Sequence, residues 1–335
     1  MSRVWSIGLL VWALGCGGAP PPRASHASAT PRIEAEATPP PDPIADPATD
    51  ADTASASDPG SASVSTSGSV SGSASAPDSA PEAEALPEAA APTLAPGLIE
   101  NVRDIAARRA RNPDVFIKVG DSATVNRAFM QCFSRDAEVD LDGRVELRPL
   151  IETIRGARAR GTDSFRRQSR AAGVGWSVYR VLSGSSSAIA EEVRAMQPRF
   201  ALVMFGGNDV ETGSLRRYES RMEELVSRLE RWGVIPILST IPPRNDDPEA
   251  DAQVPRFNAA LRALAERRRL PLVDLHAVMV EQPDRGLASD GVHPSAPVRD
   301  GRAHGCDLTE AGLAHGQNVR NLLNLEMIAA LRSVL

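Results

Sequence analysis

Lysine is almost absent. Lys118 is the only one in 335 residues, and arginine carries nearly all the positive charge. We read this as a compositional bias of the chain rather than phosphate recognition. No basic block is long enough to suggest a nucleic-acid-binding arm. Long apolar runs are missing beyond the first residues, so no later segment approaches the roughly 20 residues of a membrane-spanning helix. No repeat of fixed period signals a solenoid. Cysteine is scarce, with three in the chain. His293, His304 and His315 lie near Cys306, but no compact ligand pair at zinc-like spacing accompanies them. Neither a metal nor a cofactor is therefore expected. His26 falls in a low-complexity stretch, and His276, after an apolar run, reads as structural.

What is present divides unevenly. Residues 17–95 are almost entirely Ala, Ser, Pro, Gly, Thr and acidic residues, with 2 basic residues against 11 acidic ones. Residues 96–335 hold 34 basic and 32 acidic residues. The low overall pI thus belongs to the first stretch and says nothing about a substrate's charge. Such a stretch cannot bury a core, so residues 16–95 are expected to be a disordered tether. Its 79 residues after Cys16 would have a root-mean-square reach of about 50 Å.

The leader carries Arg3 and then the apolar segment Val4–Leu14, too short to span a bilayer. The sequence Ala13-Leu14-Gly15-Cys16 resembles a bacterial lipobox, with Ala13 where Leu is usual. We take residues 1–15 as a lipoprotein signal peptide and Cys16 as the lipidated mature N-terminus. Cleavage near Ala19 as an ordinary secretory signal is the alternative. Either reading sends the chain out of the cytoplasm. In that setting the even pair Cys132 and Cys306 suggests a disulfide.

From residue 96 onward the pattern is one of alternating elements. Ile99–Arg111 reads as a short helix or ordered lead-in, and Asp114–Val119 as a strand ended by Gly120. A helix carrying Val125, Ala128, Phe129 and Cys132 is expected after Ser122, and another over Leu147–Arg158. Ser169–Gly175 is loop-like, whereas Trp176–Leu182 and Ala188–Met196 carry further apolar positions. The continuous apolar run Phe200–Phe205 fits a buried parallel strand. Ser214–Trp232 has helical spacing, a capping Ser214 and a terminating Gly233. Val234–Ser239 is a strand whose Pro236 argues against a central place. Then come a helix over Ala252–Arg269, a strand over Leu270–Leu275 and one long closing helix over Leu308–Leu335. Strands alternating with helices predict an α/β domain, its sheet mostly parallel and covered on both faces. Ligands of such sheets sit beyond the carboxyl ends of the strands.

Ser122, Asn208 and the turn Asp290–His293 all follow strand candidates on that side. Acyl transfer through serine needs a nucleophile, a base, a group that orients the base, and donors for the oxyanion. Ser122 in Gly120-Asp121-Ser122 can be the nucleophile, although alone it also reads as a helix cap. His293 can take its proton and Asp290 can hold the imidazole. Asn208, in Gly206-Gly207-Asn208-Asp209, can donate to an oxyanion or simply make an Asx turn. Gly175, or its neighbour Gly173, can offer a backbone N–H.

In that order and with those neighbours, these residues resemble the SGNH/GDSL hydrolase superfamily over roughly residues 112–333. The runs Ser239-Thr240-Ile241-Pro242-Pro243 and Val273-Asp274-Leu275 also look like this family. The resemblance implies a three-layer α/β/α flavodoxin-like sandwich over residues 96–335 and an esterase mechanism without metal. Ser122, His293 and Asp290 would be catalytic, and Ser122 N–H, Gly175 N–H and the Asn208 amide would form the oxyanion hole. A lipid-anchored envelope esterase removing O-acetyl or short acyl groups from a carbohydrate is the leading expectation. Its partners would be a small-molecule or polysaccharide ester and the membrane, with no nucleic acid. The alternatives are a lipase or lysophospholipase, a thioesterase, an O-acyltransferase acting on an envelope glycan, and a non-catalytic envelope binding protein. The chain from Ser295 to Cys306 is expected to wall the site.

Overall fold

The computed structural model describes residues 92–335, apart from 185, 212 and 213. The signal peptide, Cys16 and the tether up to residue 91 lie outside the described residues. The chain enters through α1 (Pro96–Arg108), which has Pro at its first position and buries Val102 and Ile105. It continues into β1 (Asn112–Gly120) and the single turn α2 (Ser122–Val125). Next come α3 (Arg148–Gly156), α4 (Val178–Leu182), α5 (Ala188–Met196) and β2 (Pro198–Met204). The second half holds α6 (Leu215–Arg231), β3 (Ile235–Ser239), α7 (Pro248–Arg268), β4 (Leu272–Val273) and α8 (Leu275–Met279). A small hairpin of β5 (Val298–Arg299) and β6 (Arg302–Ala303) precedes α9 (Glu310–Leu313) and α10 (Gly316–Val334).

The main sheet is wholly parallel, in the order β1-β2-β3-β4. Both the N–H and the C=O of Gly120 turn away from β2. They bond to Ala171 O and Gly173 N, at 3.1 Å each, and make a parallel bridge to Ala172. Residues 171–173 therefore extend the outer side of β1 as a rudimentary strand. In chain order the sheet then reads 2-1-3-4-5, the flavodoxin-like order. Nearly every residue of β2 and β3 is buried whichever way it points, so both faces of the sheet are covered, as the apolar runs predict.

Pro236 lies in a strand with neighbours on both sides, against expectation, and the register shows why it is tolerated. Leu238 N–H points to β4, donating to Pro271 O at 2.9 Å. Position 236 faces the same way, by the two-residue period of a strand, but β4 pairing starts only at Leu238. The missing N–H therefore removes no ladder bond.

Other expectations need correction. The helix after Ser122 ends within one turn, because Asn126 leaves helical geometry and its side chain caps Ala128 N–H instead, at 2.9 Å. Cys132 sits in a separate 3₁₀ turn. Ser214 stands at the start of α6, but its side chain makes no capping bond. The helix expected from Ala252 begins four residues earlier, at Pro248, with the Asp247 carboxylate accepting from Glu249 and Ala250 N–H. Leu275 opens a helix rather than closing a strand.

The long closing helix is broken before Gly316, where His315 is extended. The break lets Gln317 N–H donate to Ser295 O at 2.8 Å, so α10 docks two residues beyond His293. Beside the apolar positions of α10, its polar ones are buried too: Gln317, Asn318, Arg320, Asn321 and Asn324. Asn321 ties Ala128 O and Gly305 O at 2.8 Å each, and Asn318 ties His304 O and Asp307 O. Unmet backbone groups of buried loops are costly, and these amides meet them.

Cys132 and Cys306 are joined, with Cα atoms 5.8 Å apart, so the sulfur of Cys306 is committed to a disulfide. The bridge, with Asp140 N–H on Cys306 O, pins the segment after the hairpin to residues 128–141. The chain from Ser295 to Cys306 is thereby drawn away from the cleft around Ser122, and none of its residues lines that cleft. The expectation that this loop walls the site does not hold.

Candidate active site

Ser122 stands two residues beyond the carboxyl end of β1, at the start of α2. A Cβ on Gly120 would lie 2.2 Å from Thr124 Oγ1 and 2.4 Å from Met204 O, so only glycine lets the chain turn there. Asp121 then caps α2, its carboxylate accepting Ala123 N–H at 3.1 Å. Opposite, the turn after Leu287 is closed by Ala288 N–H on His293 O (2.8 Å) and Gly291 N–H on Ala288 O (2.9 Å). These two local turns bring together residues 171 positions apart.

His293 Nε2 lies 2.8 Å from Ser122 Oγ, and His293 Nδ1 lies 2.7 Å from Asp290 Oδ2. A carboxylate at Nδ1 requires the proton there, leaving Nε2 to accept the Ser122 hydroxyl proton. The other Asp290 oxygen accepts Val292 N–H (2.9 Å) and His293 N–H (3.0 Å). Partial burial opposes the charge on Asp290. The His293 and Val292 amides and the imidazole outweigh it and hold the carboxyl below the usual range. Asp290 is thus ionised at neutral pH.

The cleft over Ser122 is 310 Å³ and is lined by Gly175, Asn208 and His293 among others. Asn208 follows β2, and its amide donates to Trp176 O at 3.1 Å, which fixes it beside the 173–176 turn. In that turn Gly173 N–H is spent on Gly120 O, whereas Gly175 lines the cleft with φ +70 and open space where a Cβ would be. Of the two glycines, Gly175 faces the cleft.

Arg244 was not singled out from the sequence. It is buried, directly follows the Pro242-Pro243 pair, and lines the cleft. Its guanidinium forks onto both oxygens of Asp246 at 2.6 Å each, reaches Glu211 at 3.0 Å and donates to Gly207 O at 2.8 Å. Asn245 N–H in turn donates to Gly291 O at 2.8 Å. The segment therefore links the strand end carrying Asn208 to the turn carrying His293. Its place directly after the Ser239–Pro243 run is the signal the sequence offers.

A buried charged layer underlies Ser122. Arg320, on α10, is fully buried, stacks 3.7 Å over the Phe129 ring, and donates to Ala123 O (2.8 Å) and Thr124 Oγ1 (3.0 Å). Burial lowers its pKa to about 9 against the opposing pull of Asp121. Burial likewise raises Asp121 to about 6, opposed by Arg320, and raises Asp209 to about 6. Between the ordinary value of 3.8 and about 6, the folded protein holds a proton on Asp121 that the unfolded chain has released. This contribution to stability is complete below the lower value and is lost as pH rises through the upper one. Asp121→Asn should therefore flatten the decline in Tm from about pH 4 to about pH 6, the remainder coming from Asp209 and Glu326, which burial also raises. Thermal unfolding across that range checks it. An unchanged slope would mean that Asp121 takes up no such proton.

Residues 119–297 match the model of the GDSL-like Lipase/Acylhydrolase family. No curated protein matches the chain. Solved structures that resemble it include a GDSL-like lipase from Bacteroides thetaiotaomicron, at 17% identity over 68% of this chain and 97% of that one, TM-score 0.39. An α/β hydrolase from the metagenome of Lake Arreo is 19% identical over 64% and 95%, TM-score 0.43. An acetylxylan esterase from Geobacillus stearothermophilus is 17% identical over 64% and 93%, TM-score 0.40.

Proposed function

The chain belongs to the GDSL-like lipase/acylhydrolase family, and from that premise we propose that it is a serine esterase removing O-acetyl or other short acyl groups from a carbohydrate. The observation that carries the mechanism is the hydrogen-bonded line Ser122–His293–Asp290, at 2.8 and 2.7 Å. Ser122 Oγ attacks the ester carbonyl as His293 Nε2 takes its proton. Charge collects on the carbonyl oxygen, which Ser122 N–H, Gly175 N–H and the Asn208 amide would meet. Collapse expels the alcohol, protonated by His293, and leaves an acyl-serine. Water, deprotonated by the same imidazole, attacks the acyl carbon; the carboxylic acid departs and Ser122 recovers its proton. Asp290 stabilises the imidazolium in both halves without taking its proton.

Short acyl groups and a sugar alcohol suit the cleft. Arg244, Glu211, Asp246 and Asn208 line it together with apolar Val174, Ile241 and Pro242. A long acyl chain would need an unbroken apolar wall, whereas sugar hydroxyls need donors and acceptors. We expect the full chain to turn over nitrophenyl acetate with a kcat/KM at least about tenfold above that of the octanoate, since chain length changes only differential pocket binding. A preference for octanoate would replace this reading with a lipase.

We place the enzyme on the cell envelope, held by lipid on Cys16 at the end of the acidic tether. The leader pattern supports this, as does the Cys132–Cys306 bridge, because disulfides persist in oxidising compartments. A Cys16→Ser variant should move from the membrane to the soluble envelope fraction. Equal membrane recovery for both forms would remove Cys16 as the anchor.

A further inference from the structure

Six arginines fall between positions 155 and 170, and the cleft uses none of them. They gather around three adjoining cavities. The first, 240 Å³, is lined by Thr124, Val125 and Asn126, just after Ser122, and by the buried Lys118. Through Arg166 it meets a second of 660 Å³, which adds Arg135, Arg155 and Arg158. Through Arg167 it meets a third of 390 Å³, which adds Arg160, Arg170 and Arg194. The first cavity and the catalytic cleft are built on successive residues of the same two segments. Ala172 and Thr124–Asn126 face the former, while Gly175 and Asp121–Ala123 face the latter.

Some of this charge is spent internally. Arg167 pairs with the buried Glu192 at 2.9 Å, Arg155 with Asp136 at 3.3 Å, Arg170 with Glu191 at 3.3 Å and Arg135 with Glu138 at 2.5 Å. Arg158, Arg160, Arg166 and Arg194 are exposed and their guanidinium groups form no ion pair among the described residues, although the Arg166 backbone N–H donates to Asp163, which lines the second cavity. A folded part that is otherwise nearly neutral thus concentrates unbalanced positive charge in concave surface beside its nucleophile.

We propose that this surface is an extended subsite for an anionic polysaccharide, a glycan with spaced carboxylate or sulfate groups that presents its ester to Ser122. The inference rests on the esterase reading above. Guanidinium groups recognise such anions by forked hydrogen bonds, and Asn126, Gln131, Gln168 and Ser169 supply donors and acceptors for hydroxyls between them. The side-chain amides and hydroxyl among these arginines suit a hydroxyl-bearing chain, whereas attraction to a bilayer surface needs only the charge. No aromatic ring lines the three cavities, so nucleic-acid bases would have nothing to stack on. The acidic tether carries only 11 acidic residues in 79, too sparse to fill the cluster.

Binding is measured on full-chain Ser122→Ala, so the test stands even if turnover fails. Polygalacturonate and neutral galactan are titrated at low and high salt, with and without Arg158→Glu, Arg160→Glu and Arg166→Glu together. Polygalacturonate should bind about tenfold tighter than galactan, lose that margin at high salt, and weaken about tenfold on charge reversal. With Ser122 restored, the same reversal should lower kcat/KM on acetylated polygalacturonate relative to acetylated galactan by a similar factor. Equal binding of the two polymers, or indifference to charge reversal, would overturn the subsite. So would phosphatidylglycerol vesicles binding where polygalacturonate does not. A tenfold gain in polygalacturonate affinity on deleting residues 17–91 would assign the surface to the tether instead.

Discussion

Replacing Ser122 by alanine is expected to lower kcat for nitrophenyl acetate by on the order of 10⁴-fold or more, with the fold intact by thermal unfolding. The size follows from the geometry. The hydroxyl is half-buried, 2.8 Å from its base, and that base is already held in the required tautomer by an ionised carboxylate. His293→Gln should cost a comparable factor. The double variant should be little worse than either single one, because nucleophile and base act as one unit. Asn208→Ala should cost less, about 10²- to 10³-fold, since it removes one oxyanion donor and leaves the nucleophile in place. Asp290 differs from a buried orienting carboxylate. Its side chain is 51% exposed, so water can partly replace it and Asp290→Asn should fall below the other two triad variants in severity. Steady-state kinetics on the four single variants and the double gives the ranking. An additive double variant would mean that Ser122 and His293 do not share one proton transfer.

The second large effect concerns stability. Removing the Cys132–Cys306 bridge by a double alanine substitution should destabilise the protein by about 3–5 kcal/mol, because it closes a long loop in the unfolded chain. The partners are 174 residues apart in sequence. For a folded part of this size the loss corresponds to a fall in Tm of roughly 10 °C, and reductant should reproduce it in the wild type. Turnover at low temperature should survive, because the bridge touches none of Ser122, Asp290 or His293. Its work is to hold residues 128–134 beneath the hairpin, together with Asn321. Differential scanning calorimetry with and without reductant measures the shift. An unchanged Tm would show that the amide bonds of α10 suffice without the bridge.

What could be read from the sequence follows from period and from motif. Apolar-rich runs located β1, β2 and β3, because a strand buried on both faces shows little polar alternation. Three short blocks located Ser122, Asn208 and the Asp290–His293 pair, since turns that follow strand ends carry their own local chemistry. Illegible features were those decided by tertiary contacts. The end of α2 after one turn depends on Asn126 capping a neighbour. The place of Pro236 within the sheet depends on where β4 begins. Arg320 and the amides of α10 sit at positions that helical spacing alone would leave to solvent, and they are buried because loops present carbonyls to them. The contacts of Arg244 and the arginine-lined cavities were equally out of reach, since the run of arginines over 155–170 lines cavities only where it packs against residues 118–135 and 191–195. The loop from Ser295 to Cys306 is expected at the cleft wall because it follows His293, yet the bridge that anchors it lies away from the cleft.

The central claim is that Ser122 is the nucleophile activated by His293. A fluorophosphonate probe on the native full chain, followed by peptide mapping, tests it most directly. The account predicts one adduct, on Ser122, absent in Ser122→Ala and formed far more slowly in His293→Gln. Undiminished ester turnover by protein that the probe leaves unmodified, or an adduct on any other residue, would contradict it.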